Sequence, residues 1–373
     1  MSKLNKALKL LNQKGLDGLV IYSSGAYRMT RPNYVYCFSG FRPLGSNNAI
    51  IISKSGDITL LVEPQWDSAR ASRESWINAV IGTSDFTNEL PAVIKKLKAK
   101  GTIGVAGLRE MTEELYLCIE KEATIELADD IMEEITRVKT REEMDAIRRT
   151  AKIADVGFKA FVEHAQIGIR EYELAAEIEF AMRSSGAEDN FMFLSSGEHN
   201  HAMHAPSDRK LSKGDIVIAE ISPFCRGQFL QLCRTVFLGE PGSILTEKYD
   251  MLVCALEESL KHIKSGASAS LVSKAINKVI IDAGYGEYCY PPYMRTRGHG
   301  TGPGSVVGSF ALGGAIDDNT KAKFKEQQLV VVHPNQYFPE TGYLACGETI
   351  MVTDTGIERL SDTETKLYSK EAC

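Results

Sequence analysis

The sequence predicts a small α/β domain followed by a larger α+β domain, and three observations carry that expectation. At 373 residues the chain is long enough for two domains. Its first 130 residues alternate short apolar runs with segments of helical periodicity, as layered α/β structures do. After residue 190 the pattern changes to strands that carry polar residues at their centres. The expected domains are residues 1–130 and 137–373, with the boundary near Asp129–Lys139.

Taken in order, Leu4–Asn12 has apolar residues at helical spacing and stops at Gly15, and Leu19–Tyr22 is a short buried strand. Ala49–Ile52 and Ile58–Val62 read as strands joined by the turn Lys54–Asp57. A strand at Ala79–Ile81, a helix over Glu89–Lys100 and a strand at Gly101–Val105 follow. A helix over Glu110–Lys121 and a strand at Ala123–Leu127 complete this part. Thr140 and Glu143 form a capping box that opens a long helix, on which Met144, Ile147, Ala151, Ala154 and Phe158 share one face. A second helix, Glu171–Ser185, ends at Gly186. Next come a strand at Phe191–Ser195, a hairpin within Lys213–Gly239, and a helical interlude over Glu247–Ala283. Two late strands follow at Leu329–His333 and Ala345–Thr353, and the segment Pro339–Gly342 reads as the turn joining them.

Charged residues at 25% and hydrophobic ones at 43% are ordinary for a soluble globular protein. A net charge of −6 leaves no electrostatic footprint for nucleic acid or an anionic membrane. No stretch of about eighteen apolar residues exists, and the amphipathic N-terminus lacks the apolar core of a signal peptide. The eight cysteines are scattered without CxxC pairs, as expected for reduced thiols that mostly fill the core. The expectation is a cytoplasmic protein with a small-molecule substrate and no nucleic-acid or membrane partner.

The chemistry collects around the hairpin. In Ile216–Ser222 apolar residues point both ways, so the strand is covered on both faces, and Glu220 sits in its middle. A buried carboxylate without a partner costs several kcal/mol, so Glu220 must meet a cation, a metal, a proton or a substrate. Five of the seven histidines fall in the segments 197–209, 297–304 and 330–337. His164 and His262 lie on helices and read as structural. His299 stands between Gly298 and Gly300, where backbone or ligand can approach closely, although a plain turn has the same spacing. His333 ends an apolar strand before Pro334. Glu220, His299 and His333 fit either a two-histidine, one-carboxylate metal site or a metal-free acid/base set. The segment Gly298–Gly304 is a poor phosphate loop, because it lacks the lysine of such loops and no clear helix follows it.

Several stretches resemble the pita-bread-fold family of aminopeptidase P, prolidase, methionine aminopeptidase and creatinase. They are VKTREEMDAIRRTAKIAD, IREYELAAEIEFAMRSSGA, SSGEHNHAMHAPSDRKLSKGDIVIAEIS, CRTVFLG, GHGTG, HPNQYFPETGY and GETIMVTDTGIERLS. The resemblance spans nearly the whole chain and implies a creatinase-like α/β N-terminal domain before an α+β pita-bread catalytic domain. It also implies a homodimer in which one chain's N-terminal domain covers the other chain's site. The family's peptidases hold two divalent metals through two aspartates, a histidine and two glutamates. By that resemblance the aspartate positions fall on Glu220 and Gln231, and the histidine is His299. The glutamate positions fall on His333 and on Gly347, with Glu348 and Thr349 following, while a further peptidase histidine falls on Val306. Two divalent ions need several hard oxygen ligands. Gln231 brings no charge and Gly347 no side chain, so a dinuclear site is not expected. Nor does Glu348 replace Gly347, because the next residue of a strand faces the other way.

Creatinase is the metal-free branch, and His204 resembles its proton-transferring histidine. Arg42 resembles the arginine that reaches a substrate carboxylate across the dimer interface, a task suited to a guanidinium, although a solvent-facing loop arginine reads the same. Cys233 and Cys346 occupy positions where creatinase holds its cationic substrate group with glutamates, so the substrate here should be less cationic. Cys233 could act as a nucleophile if a histidine depressed its pKa, although core packing is the commoner role. The leading expectation is a creatinase-like, metal-independent hydrolase without a cofactor, cleaving an amidino, ureido or amide C–N bond of a small carboxylate-bearing substrate. His204, Glu220, His299 and His333 would be catalytic, and Arg42, Gln231, Cys233 and Cys346 would bind substrate. One alternative is a single-metal Xaa-Pro dipeptidase-like hydrolase or lyase using one divalent transition metal at Glu220, His299 and His333. Another is a non-catalytic binding module on a degenerate peptidase fold.

Overall fold

The computed structural model of the chain describes residues 2–25, 33–98, 101–294, 296–301 and 315–370. They fall into two compact units, 2–137 and 138–370.

The first unit runs α1 (Lys3–Lys14), β1 (Gly18–Ser24), α2 (Tyr34–Ser39), β2 (Asn47–Ser53), β3 (Ile58–Val62), α3 (Ser68–Glu74) and β4 (Val80–Gly82). It continues with α4 (Phe86–Lys96), β5 (Thr102–Ala106), α5 (Glu113–Glu120), β6 (Thr124–Leu127) and α6 (Asp129–Arg137). Ser2 caps α1 by accepting from the Asn5 amide, and Gly15, at φ 71°, ends it in the left-handed region that favours glycine. The described strands form one mixed sheet in the order β4-β3-β2-β1-β5-β6. On β1, Leu19 and Ile21 enter one apolar core with residues of α1, α2 and α6. Val20 and Tyr22 enter another with residues of α4 and α5, so the sheet is covered on both faces. The sequence reading had no place for α2, α3 and α6. At six, seven and nine residues they are too short to display a 3.6-residue period. Helix α4 also starts three residues earlier than expected, because Asp85 accepts from the Asn88 amide and caps it there.

The second unit opens with α7 (Arg141–His164), whose capping box is complete. The Thr140 hydroxyl accepts from the Glu143 amide at 3.3 Å, and the Glu143 carboxylate accepts from the Thr140 amide at 2.8 Å. Next come α8 (Glu171–Ser184), β7 (Asp189–Gly197), β8 (Ile216–Cys225), β9 (Gln228–Phe229) and β10 (Leu232–Leu238). The helical interlude divides into α9 (Ser243–Leu260) and α10 (Ser270–Asp282). The remainder is β11 (Gly298–Gly300), β12 (Leu329–Val332), β13 (Gln336–Phe338), β14 (Gly342–Leu344), β15 (Gly347–Val352), β16 (Ile357–Arg359) and β17 (Tyr368–Lys370). The main sheet has the path β11-β12-β15-β10-β8-β7. Along it every pairing is antiparallel.

Strand β8 is buried along its whole length. Ile216 and Ile218 enter a core with α9 and α10, while Val217, Ala219 and Ile221 enter another with α7 and α8. Alternation puts Glu220 on the side of Ile216 and Ile218. The turn Pro339–Thr341 joins β13 to β14 in a separate small ribbon, whereas the long late strands β12 and β15 pair directly. No helix of the described residues is long and apolar enough to cross a membrane.

Candidate active site

Antiparallel pairing of β8 with β10 sets Cys233 opposite Glu220. Gln231, just before β10, donates from Nε2 to Glu220 Oε1 at 2.9 Å and to Ser222 Oγ at 3.3 Å. The Cys233 thiol donates to the other carboxyl oxygen of Glu220 at 3.4 Å. Burial pushes the Glu220 carboxyl up to about 7, against the smaller opposing effect of the Cys233 bond. Among the described residues its hydrogen-bond partners are two neutral donors, the Gln231 amide and the Cys233 thiol. The amide oxygen of Gln231 is buried with no hydrogen-bond partner among the described residues.

The histidines form a second group on the strands farther along the sheet. His299 lies on β11, and His333 follows β12, with its amide donating to the Arg297 carbonyl at 3.1 Å. Their ring centroids are 5.4 Å apart, with the planes tilted by 56°. His299 Nδ1 donates to the Gly300 carbonyl at 2.9 Å, which leaves Nε2 as the lone-pair nitrogen. His333 Nδ1 is buried without a partner among the described residues. Burial lowers the pKa of both rings, and it takes His333, with further help from His299, down to about 3. Both imidazoles are thus neutral at neutral pH.

The two groups meet at Gly347. Pairing of β10 with β15 sets it opposite Cys233. A Cβ on Gly347 would lie 2.6 Å from both the His333 Cβ and the Val332 carbonyl oxygen, so His333 fills the space of any side chain there. Glu348 is no substitute, because its carboxylate pairs with Arg359 at 3.4 Å. Asn335 ties the parts together: its side chain accepts from the Cys346 amide and its carbonyl from Arg297 Nη1, both at 2.9 Å. The Tyr343 phenol is held protonated by burial and then by the nearby Glu220 and Cys233.

Burial pushes the Cys346 thiol up to about 12 and the Cys233 thiol well up, the latter also because Glu220 lies beside it. Burial and Glu220 raise the Cys233 pKa and no histidine lowers it, so these surroundings do not activate it as a nucleophile. His204 is exposed in the irregular segment after β7, with Nδ1 bonded to the Ala205 carbonyl at 2.8 Å. Its own carbonyl accepts from the Leu194 amide, beside Phe193, which pairs with Glu220. Arg42 lies half-buried in the first unit, before β2, where its carbonyl accepts from Arg70. Val306, and the segment after Gly298–Thr301 where no helix was expected, lie outside the described residues.

Sequence reasoning missed Arg297, Asn335, Tyr343 and Glu171. The buried Glu171 carboxylate accepts from the amide and hydroxyl of both Ser196 and Ser207, and so anchors the segment bearing His204. Its place on the first turn of a helix suggested only a dipole partner. Arg297 and Asn335 each stand two residues from a histidine, and that adjacency was the available signal.

The model of metallopeptidase family M24 matches residues 145–354, and that of the creatinase/prolidase N-terminal domain matches residues 3–148. The chain belongs to metallopeptidase family M24. It is 26% identical over 369 residues to a Xaa-Pro dipeptidase of Pyrococcus furiosus, covering 98% of this chain and 99% of that one. The solved structure of the prolidase from Pyrococcus furiosus superposes with a TM-score of 0.81 at 26% identity, covering 96% of this chain and 99% of that one. An X-Pro aminopeptidase from Thermotoga maritima superposes at 0.85 with 24% identity over 99% of this chain and 100% of that one, which supports the fold. The M24 protein described here is a hydrolase of C–N bonds with the pita-bread fold.

Membership in a family of metallopeptidases overturns the expectation of a site without a cofactor, and with it the metal-independent, creatinase-like reading. The residues do not fit a pair of ions: Gln231 is neutral, and Gly347 has no room for a side chain. No three His, Cys, Asp or Glu side chains among the described residues form a ready cage. The donors that suit a single ion are the neutral imidazoles of His299 and His333, whose ring centroids lie 5.4 Å apart and of which His333 Nδ1 is unpartnered among the described residues.

Proposed function

We propose that this M24 hydrolase is Xaa-Pro dipeptidase-like, cleaving the amide bond of a small carboxylate-bearing substrate with one divalent transition metal. The observation that carries this reading is the pair of neutral imidazoles, half-buried His299 and buried His333, with one nitrogen unpartnered among the described residues. When bound there, such an ion supplies Lewis-acid polarisation of the scissile carbonyl. Glu220, held near neutrality by burial, exchanges a proton with the reacting groups, and Gln231 and Cys233 fix the orientation of its carboxyl. Cys346 packs the floor beside Asn335. His204, exposed and held by its carbonyl to the Leu194 amide beside Phe193, the strand partner of Glu220, would shuttle protons to solvent. Arg42 of a second copy would take the substrate carboxylate in a homodimer, and the scattered free thiols suit a reducing cytoplasm.

Protein purified without chelator should contain about one equivalent of transition metal by elemental analysis, a stoichiometry set by the two-imidazole donor set. His299→Ala should lose it. The metal-loaded chain should hydrolyse members of a panel of Xaa-Pro dipeptides, with Mn, Co and Zn each tried. Failure to cleave any of them in every metal-loaded form would overturn the substrate assignment. Full metal occupancy in both His299→Ala and His333→Ala would overturn the metal site.

A further inference from the structure

A cavity of about 200 Å³ lies within the second unit, beside Arg297, and is lined by Ser273, Asn277, Tyr290, Asp317 and Asp318 among others. None of Glu220, His299 and His333 lines it. At ~30 Å³ per water it has room for about six waters, enough to enclose a small amino acid such as alanine, serine or proline.

Arg297 is only 2% exposed, yet its bonds run to uncharged oxygens. Nε donates to Asn277 Oδ1 at 2.8 Å, Nη1 to the Asn335 carbonyl at 2.9 Å and Nη2 to Gln336 Oε1 at 2.8 Å. No carboxylate bonds it directly among the described residues, which is an expensive way to bury a guanidinium. The opposite charge stands one side chain away. Asn277, whose oxygen takes Arg297 Nε, donates from Nδ2 to both oxygens of Asp318 at 3.1 and 3.3 Å. Tyr290 donates its hydroxyl to Asp318 at 3.3 Å, and Asp317 stands beside it.

One wall of the cavity is therefore a cation and another a pair of carboxylates, with an asparagine spanning them. A simple anion would meet Asp317 and Asp318, and a simple amine would meet Arg297. A molecule carrying both charged groups on one carbon satisfies both walls. We propose that this cavity binds a small free α-amino acid, its carboxylate toward Arg297 and its ammonium toward Asp317 and Asp318.

Calorimetric titration of the full chain with alanine, serine and proline tests this, alongside their N-acetyl and amide derivatives. At least one free amino acid should bind, and both derivatives should fail because each lacks one charge. Asp318→Asn keeps the shape and should weaken binding about tenfold or more, as expected for loss of a charge-assisted contact. Ser273→Leu fills the cavity and should abolish binding, whereas His299→Ala should leave it intact. If Ser273→Leu fails to fold, Asp318→Asn decides alone. Absence of binding by every free amino acid would overturn the proposal, as would equal binding of a derivative. Binding that survives Asp318→Asn but disappears in His299→Ala would also overturn it, by placing the ligand at the histidines.

Discussion

Burial without a counter-charge converts a carboxylate into an acid, and Glu220 is one instance beside the candidate site. Glu133 on α6, in the first unit, is a second, where burial outweighs a nearby cation. Burial first, then Asp129, raises its carboxyl to about 7 against the opposing Arg137. A carboxyl whose folded pKa exceeds its unfolded value stabilises the fold while protonated. That contribution is complete below about pH 4.5 and disappears as the pH rises through about 7. Glu133→Gln cannot ionise, so its stability relative to the parent should grow between pH 5 and pH 8. The half-buried setting screens the effect, so a gain of about 1–2 kcal/mol is expected in denaturant titrations at the two pH values. An identical difference at both would show that Glu133 titrates normally. The burial of Glu220 was legible in the sequence, because apolar neighbours flank it on both sides. Its partners were not, because Gln231 and Cys233 reach it across the turn and the strand register.

At the scale of elements, β12 and β15 decide what the site can hold. Their pairing sets Val332 against Glu348, so the backbone of His333 comes to rest over Gly347. Gly347→Ala should therefore cost about 1–3 kcal/mol of stability by overpacking. It should also disturb metal content through His333. Thermal unfolding and elemental analysis of the variant check both, and a variant as stable as the parent would mean that His333 moves aside freely. The absence of a ligand at 347 could be read from the sequence, since glycine has no side chain. The reason glycine is needed there could not, because the approach comes from a strand fifteen or more residues away in the chain. Helix α7 is the opposite case: capping box and apolar stripe are both local, and its start was legible to the residue.

For the whole molecule, the proposed dimer makes a prediction that a monomer cannot meet. Light scattering should give a mass twice that of one chain. Arg42→Ala should raise KM about tenfold with kcat little changed, as expected for loss of a carboxylate clamp. Mixed dimers of Arg42→Ala and His299→Ala chains should regain the low-KM activity that neither homodimer has, because one site per dimer is then complete. A monomeric mass, or no complementation, would sink the proposal. By itself the sequence determined the alternation of helices and strands in the first unit and the capped start of the second. It also determined the family and the unsuitability of the donor set for two ions. Those follow from local periodicity, from capping chemistry and from which side chains exist at all. Only the tertiary structure decided that Glu220 meets a thiol and an amide, that the imidazoles lie together and neutral, and that Glu348 turns to Arg359. It alone also set a buried guanidinium beside a small cavity with carboxylates on another wall. These depend on register between strands distant in the chain and on burial, neither of which leaves a local mark in a single sequence.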